Sequence, residues 1–85
     1  MQAIQKLIDQ TFSYSMEAID DLKELYISDM KQFQEVQLNL AFGDYEAVAK
    51  IVDDMDTEPR EQIVMALIED FGASLVENKF GFSLA

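Results

Sequence analysis

Apolar side chains recur at every third or fourth position over the first forty-odd residues of the chain. This is the spacing of one face of an α-helix, and neither Gly nor Pro interrupts it before residue 43. The pattern therefore predicts a single amphipathic helix over about residues 3–42, roughly 58 Å long at the usual rise per residue. The apolar positions are Ile4, Ile8, Phe12, Met16, Ile19, Leu22, Tyr26, Met30, Phe33, Val36 and Leu40.

A helix of that length does not fit inside a compact domain of this size, whose radius of gyration would be about 12 Å. Either the helix breaks within residues 11–15, where helix propensity is lowest, or it stays whole and buries its protruding half against a second subunit. No capping box marks a restart, since Met16 and Ala18 stand three residues after Ser13 and Ser15. We therefore expect one helix, straight or bent, and self-association through it.

Three shorter helices are predicted after the first. Gly43 suits the left-handed end of a helix and Asp44 is a plausible N-cap, which together predict a helix over about 45–55. Thr57 as a cap, with Pro59 in the first turn, predicts another over about 58–71. Residues 73–79 carry enough apolar side chains for a short further helix or a continuation. The expected fold is a single all-α domain over 1–85.

The last residues alternate apolar side chains with small or charged ones, which is typical of a strand or a short extended tail. One interpretation is that Phe80, Phe82 and Leu84 tie this tail into the protein's own core. The other is that the tail adds to the groove or sheet edge of a partner.

The chain is strongly acidic. Seventeen acidic and six basic side chains among 85 residues leave a net charge of −11. Phosphate backbones and anionic lipids would be repelled, so we expect neither direct nucleic-acid binding nor membrane binding, whereas a basic protein surface would be attracted. The chain has no Cys, no basic leader and no apolar run of membrane-spanning length, which favours a soluble cytoplasmic protein.

The residue types that most enzymes need are missing. Without His or Cys there is no serine-protease-like triad, no thiol nucleophile and no zinc site of the usual kind. The three glycines form no phosphate-binding loop. Glu69 and Asp70 are adjacent on a helix, point in different directions, and are expected on a solvated face. We predict no catalytic residues and no cofactor.

A calcium loop is the remaining metal site to consider. Asp54, Asp56 and Glu58 have the spacing of its first three ligands. However, Pro59 stands where the loop requires Gly, and Met65 stands where a bidentate Glu belongs. No metal site is predicted.

Two short segments resemble known families. Residues 42–47, with Pro59 some sixteen residues after Gly43, resemble the middle of a tetratricopeptide repeat over one turn and part of a helix, but Gln32, Glu35 and Val36 stand where that family carries an aromatic residue, Leu and Gly. Residues 64–71 are similar to the acidic third segment of acyl carrier proteins, but the Asp-Ser-Leu that carries their prosthetic group is absent. The sequence is assigned to neither family.

These features predict a small acidic helical protein that works by binding another protein, as an inhibitor, adaptor or assembly factor, and that forms a homo-oligomer such as a homodimer. One alternative is a phage or mobile-element protein that mimics nucleic acid against a basic host surface. Another is a structural subunit that binds only itself. The candidate acidic contacts are Glu17, Asp20, Asp21, Glu24, Asp53, Asp54, Asp56 and Glu58. The candidate apolar contacts are Phe12, Met16, Phe33, Phe80 and Phe82.

Overall fold

The structure, a computed structural model, describes residues 1–82, which form an all-α fold of five helices. The helices are α1 (Gln2–Glu17), α2 (Asp20–Ala41), α3 (Tyr45–Asp53), α4 (Thr57–Phe71) and α5 (Ala73–Phe80). The all-α class is confirmed, and the three later helices lie close to their predicted bounds. Leu84 of the predicted tail lies outside the described residues.

The stretch predicted as one helix over 3–42 is two helices, α1 and α2. Ala18 has ψ 156° and Ile19 has ψ 161°, so two consecutive residues are extended and the chain turns back on itself. The break thus lies after the Ser/Thr-rich residues 11–15. Asp20 and Asp21 occupy the first turn of α2, where carboxylates face the positive end of the helix dipole and favour a helix start.

Two side-chain contacts show that α1 and α2 run antiparallel. The Gln37 amide nitrogen donates to the Gln5 amide oxygen at 2.9 Å, and the ring centroids of Tyr14 and Tyr26 are 5.7 Å apart. The two helices therefore form a hairpin. We call its closed end, from the last two turns of α1 to the first two turns of α2, the α1–α2 corner.

Helix α1 is also held by α4, through a cap that comes from another helix. The Asp70 carboxylate accepts hydrogen bonds from the backbone N–H groups of Ala3 at 2.8 Å and Ile4 at 3.1 Å. These groups are among the donors that the start of a helix leaves without partners. The expectation that Asp70 lies on a solvated face is therefore wrong.

The turn between α2 and α3 follows its prediction. Gly43 has φ 73° and donates its N–H to the Leu40 carbonyl at 3.0 Å, while Asp44 donates its N–H to the Asn39 carbonyl at 2.9 Å. This is the Schellman pattern of a helix C-terminus. The Asp44 side chain then accepts the Ala47 N–H at 3.1 Å, as an N-cap should.

The start of α4 differs slightly from its prediction. Thr57 is the first residue of the helix, so Asp56 stands at the N-cap position, without a side-chain hydrogen bond to the helix. Glu58 and Pro59 still fall in the first turn, where a carboxylate is favourable and a missing N–H costs nothing.

The core sits at one end of the hairpin. Helix α1 contributes Ile4 and Ile8 to it and α2 contributes Phe33 and Val36, while α3, α4, α5 and the α3–α4 loop supply the rest. The molecule measures 39 × 22 × 21 Å, and the 22 residues of α2 account for most of its long axis, at about 33 Å. The α1–α2 corner lies at the end of this axis away from the α2–α3 turn. The other buried apolar residues of the core are Val48, Val52, Met55, Ile63, Ala66, Leu67, Val76 and Phe80.

None of the described helices has the length and apolar character needed to cross a bilayer.

Candidate protein-binding surface at the α1–α2 corner

Large apolar side chains are exposed around the whole of the α1–α2 corner. Their exposed fractions range from 47% at Leu22 to 72% at Ile19. Single exposed apolar residues are ordinary in folded proteins, but a concentration of them on one part of the surface is typical of an interaction site. We call this set the corner surface, and its members are Phe12, Tyr14, Met16, Ile19, Leu22 and Leu25.

The inner face of α1 at the corner is made of small polar residues. Thr11 and Ser15 are buried, with exposed fractions of 4% and 3%, and their hydroxyls donate to the helix's own backbone carbonyls. Phe12 and Met16, one position further along, are 52% and 66% exposed. The periodic apolar face that the sequence shows from Ile4 onward is therefore not the buried face at this end of the helix.

Ile19 stands at the N-cap position of α2. Its φ of −69° and ψ of 161° are those of an N-cap, but its side chain cannot accept a hydrogen bond from the first turn of the helix. Branched aliphatic residues are among the poorest N-caps, and Ser, Asp or Asn would stabilise the helix start. Local helix stability therefore does not account for an exposed isoleucine at this position.

All eight acidic residues singled out in the sequence are exposed, and the fold brings four of them together. Asp21 and Glu24 of α2 line one shallow concavity of about 310 Å³ with Asp54 and Asp56 of the α3–α4 loop. Glu17 lies in the last turn of α1, across the break from α2, so the predicted acidic face of a single helix does not exist. Glu17, Asp20 and Asp53 line neither this concavity nor the groove next to it.

That groove, which we call the corner groove, lies between α1, α2 and the first turn of α4. It encloses about 490 Å³, within the range of protein binding clefts. The apolar side chains that line it include Leu7, Tyr14, Leu22, Leu25, Tyr26 and Pro59. The carboxylates that line it are Asp29, Asp56 and Glu58.

Asp29 is the acidic group of the groove that the sequence reasoning missed. Burial raises the pKa of its carboxyl, and the negative charges of Asp56 and Glu58 raise it further. The groove therefore holds three negatively charged carboxylates close together on a partly desolvated surface. A positive charge placed there would relieve this repulsion.

The predicted apolar contacts divide between surface and core. Phe12 and Met16 belong to the corner surface, whereas Phe33 is fully buried and Phe80 is 5% exposed. The Phe80 ring packs edge-on against Tyr45 at 5.4 Å and stacks on Phe82 at 5.7 Å, and Phe82 packs against the core. Phe33 is a core residue, and Phe80 and Phe82 pack the C-terminal segment against the core, so none of the three belongs to the candidate surface.

Sequence reasoning also missed Tyr14, Ile19, Leu22 and Leu25 as surface residues. The helical period places Ile19 and Leu22 on the apolar face, and nothing in their spacing distinguishes a buried from an exposed stretch. The Asp pair at 20–21 was the available signal, because it marks a helix start and hence a turn just before it.

The chain has no match among protein families, curated proteins or solved structures. Within residues 1–82 there is also no cluster of three or more Asp and Glu side chains arranged to hold a metal ion. The corner surface and the adjoining corner groove bring exposed apolar side chains and carboxylates together, and the functional inference is built on them.

Proposed function

We propose that this protein acts by binding another protein through the corner surface. The observation that carries the proposal is the arrangement at the end of α1, where small Thr11 and Ser15 are buried while large Phe12 and Met16 face solvent. Exposed apolar side chains contribute little to the stability of the free protein. When a partner removes them from water, each Å² of apolar surface that is buried contributes about 25 cal/mol to the free energy of binding.

The corner surface has the composition of an interface centre. Aromatic residues and Met are enriched at such centres, and a few large side chains usually carry most of the binding energy. The acidic side chains nearby, Asp21 and Glu24 among them, would form the polar rim. Rim charges mainly govern association rate and choice of partner, so the proposed partner surface is apolar at its centre and basic around it.

This role needs no chemistry from the chain. It fits an inhibitor, an adaptor or an assembly factor working in the cytoplasm. A homodimer built on the same surface is the competing assignment, and salt separates the two. Two copies of charge −11 repel each other, so added salt would strengthen self-association, whereas it would weaken binding to a basic partner.

The test compares two double variants that remove similar exposed apolar surface. Met16→Ser/Ile19→Ser alters the corner, where these side chains are 66% and 72% exposed. Leu38→Ser/Phe42→Ser is the matched control at the other end of α2, where the fractions are 57% and 76%. Each chain is used to capture partners from its native host, and affinities are then measured with the purified partner by calorimetry.

We expect the corner variant to lose binding by at least tenfold and the control variant to bind as the wild type does. Equal binding by both variants would contradict the assignment of the surface. Recovery of the chain alone, with a dimer that tightens as salt rises, would favour the self-assembling subunit instead.

Mimicry of nucleic acid is the second candidate, and one observation favours it. Asp21, Glu24, Asp54 and Asp56, from two separate stretches of the sequence, converge on one concavity. If the partner recognises this negative charge, Asp21→Asn/Glu24→Gln should abolish binding to it. The wild-type protein should also displace DNA from that partner. A partner that keeps its DNA in the complex would exclude mimicry.

A further inference from the structure

We propose that the corner groove binds a basic amphipathic helix of the partner protein. This inference rests on the proposed function, and it names the class of partner segment that the site would take. The apolar side of the incoming helix would lie on Tyr14, Leu22 and Leu25, and its Lys or Arg side chains would lie beside Asp29, Asp56 and Glu58.

The lining of the groove selects for this chemistry. Three helical elements bound it, with apolar side chains from each of them and carboxylates from α2 and the start of α4. A purely apolar ligand would leave the carboxylates partly desolvated and without partners, and a purely cationic ligand would leave the apolar side chains in water. A helix with one apolar face and one basic face satisfies both requirements.

Other occupants fit the groove less well. A second copy of this chain would bring a further −11 charge toward the three groove carboxylates, and phosphate groups would be repelled in the same way. An extended peptide usually binds by adding to a sheet edge, and residues 1–82 contain helices only. A helix packing against helices needs no such edge.

The probe is a synthetic helix-forming peptide of about 18 residues, long enough to be partly helical when bound, with Leu on one face and Lys on the other. A matched control peptide has Glu in place of every Lys. Both carry a fluorescent label, and their binding to the full-length protein is followed by anisotropy at two salt concentrations. Binding of the Lys peptide that weakens with salt, together with at least tenfold weaker binding of the Glu peptide, supports the proposal.

Two pairs of variants locate the site. Leu25→Ser alters the groove and Leu38→Ser is its control, since both leucines lie on α2 and are 57% exposed. We expect Leu25→Ser to weaken binding of the Lys peptide about tenfold, as loss of a central contact does, and Leu38→Ser to leave it unchanged.

The second pair separates local charge from net charge. Asp56→Asn/Glu58→Gln removes two charges from the groove, and Glu46→Gln/Glu77→Gln removes two exposed charges from α3 and α5. The groove variant should bind the Lys peptide about five- to tenfold more weakly than the control variant does. Equal effects of the two variants would show binding to the acidic surface at large and would overturn the proposal.

The outcomes distinguish this inference from the proposed function. If neither peptide binds, or both bind equally, the basic helix is the wrong occupant. Partner binding by Met16→Ser/Ile19→Ser still tests the proposed function in that case, since Met16 and Ile19 do not line the groove. A groove closed by self-association, seen as a dimer in sedimentation that the Lys peptide does not dissociate, would also overturn the inference.

Discussion

Replacing Ile19 with Ser should stabilise the protein while weakening its binding to a partner. The residue occupies the N-cap position of α2, where a hydroxyl can accept an N–H from the first turn, at a gain of about 1 kcal/mol over a residue that cannot cap. Ile19 is 72% exposed, so a little more than a quarter of it is removed from water in the free protein. Full burial of an isoleucine is worth about 2 kcal/mol, so this fraction is worth about 0.6 kcal/mol.

The gain from the cap therefore exceeds the loss of burial by about 0.4 kcal/mol, a rise in melting temperature of about 2–3 °C for a domain of this size. Ile19→Ala is the control, because it loses the same apolar contacts without providing a cap. It should be destabilised by about 0.6 kcal/mol, so the two variants should differ by about 1 kcal/mol. Urea unfolding followed by far-ultraviolet circular dichroism measures both values, and the slope of the transition should not change.

Binding provides the second half of the test. If Ile19 is a contact for the partner, Ile19→Ser and Ile19→Ala should lose affinity equally, although one is more stable and the other less stable than the wild type. If Ile19→Ser is no more stable than Ile19→Ala, residue 19 does not act as the cap and the description of the corner is wrong. If Ile19→Ser is more stable but binds normally, its exposed side chain is not a contact.

Two further predictions concern acidic residues. Asp70→Ala should lower the free energy of unfolding by about 1–2 kcal/mol, as measured with urea, because it removes the cap on the first N–H groups of α1. Glu69→Ala, at the exposed neighbouring residue, should leave the free energy of unfolding almost unchanged. Equal losses of stability in the two variants would exclude the cap. Asp29→Asn should raise stability at neutral pH by roughly a few tenths of a kcal/mol, because burial and then Asp56 and Glu58 raise the pKa of Asp29 and so disfavour its charged form. The advantage should shrink as pH falls through the raised pKa, where wild-type Asp29 takes up its proton, so an advantage that grows in acid would refute this reasoning.

The helices could be predicted from the sequence wherever local chemistry fixes their ends. Gly43 and Asp44 fix the end of α2 and the start of α3 through their own backbone and side-chain hydrogen bonds. Gly72 ends α4 with φ 89°, a conformation that favours glycine. In each case the deciding atoms lie within a few residues of the helix end, and a pattern of residue types is enough to show them.

The break between α1 and α2 has only one local signal, the Asp pair at 20–21, and that pair does not by itself end the preceding helix. Ala18 and Ile19 are neither caps nor helix breakers by type, and the apolar period runs through them unchanged. The turn is accompanied by tertiary contacts, because α2 folds back along α1 with Tyr26 against Tyr14 and Gln37 against Gln5. A contact between residues so far apart in the chain leaves no mark in a local pattern.

The acidic part of the site was only partly predictable for the same reason. Asp21 and Asp54 belong to two separate acidic stretches of the sequence, and only the fold places them in one concavity. A single Asp between Ser28 and Met30 carries no sequence signal, so the sequence does not predict a role for Asp29. Its importance comes from its neighbours across the groove.

The break in the long helix also changes the physical case for a binding role. A continuous rod would have exposed an apolar stripe along much of its length, and pairing of two rods would have been the simplest way to cover it. Folding the stripe into a hairpin buries Ile4 and Phe33 within one copy and leaves the exposed part at the corner. A small apolar surface beside carboxylates is poorly suited to pairing with an equally acidic copy of itself. It is better suited to a partner of opposite charge, so the sign of the salt dependence of binding is the property that decides between the two.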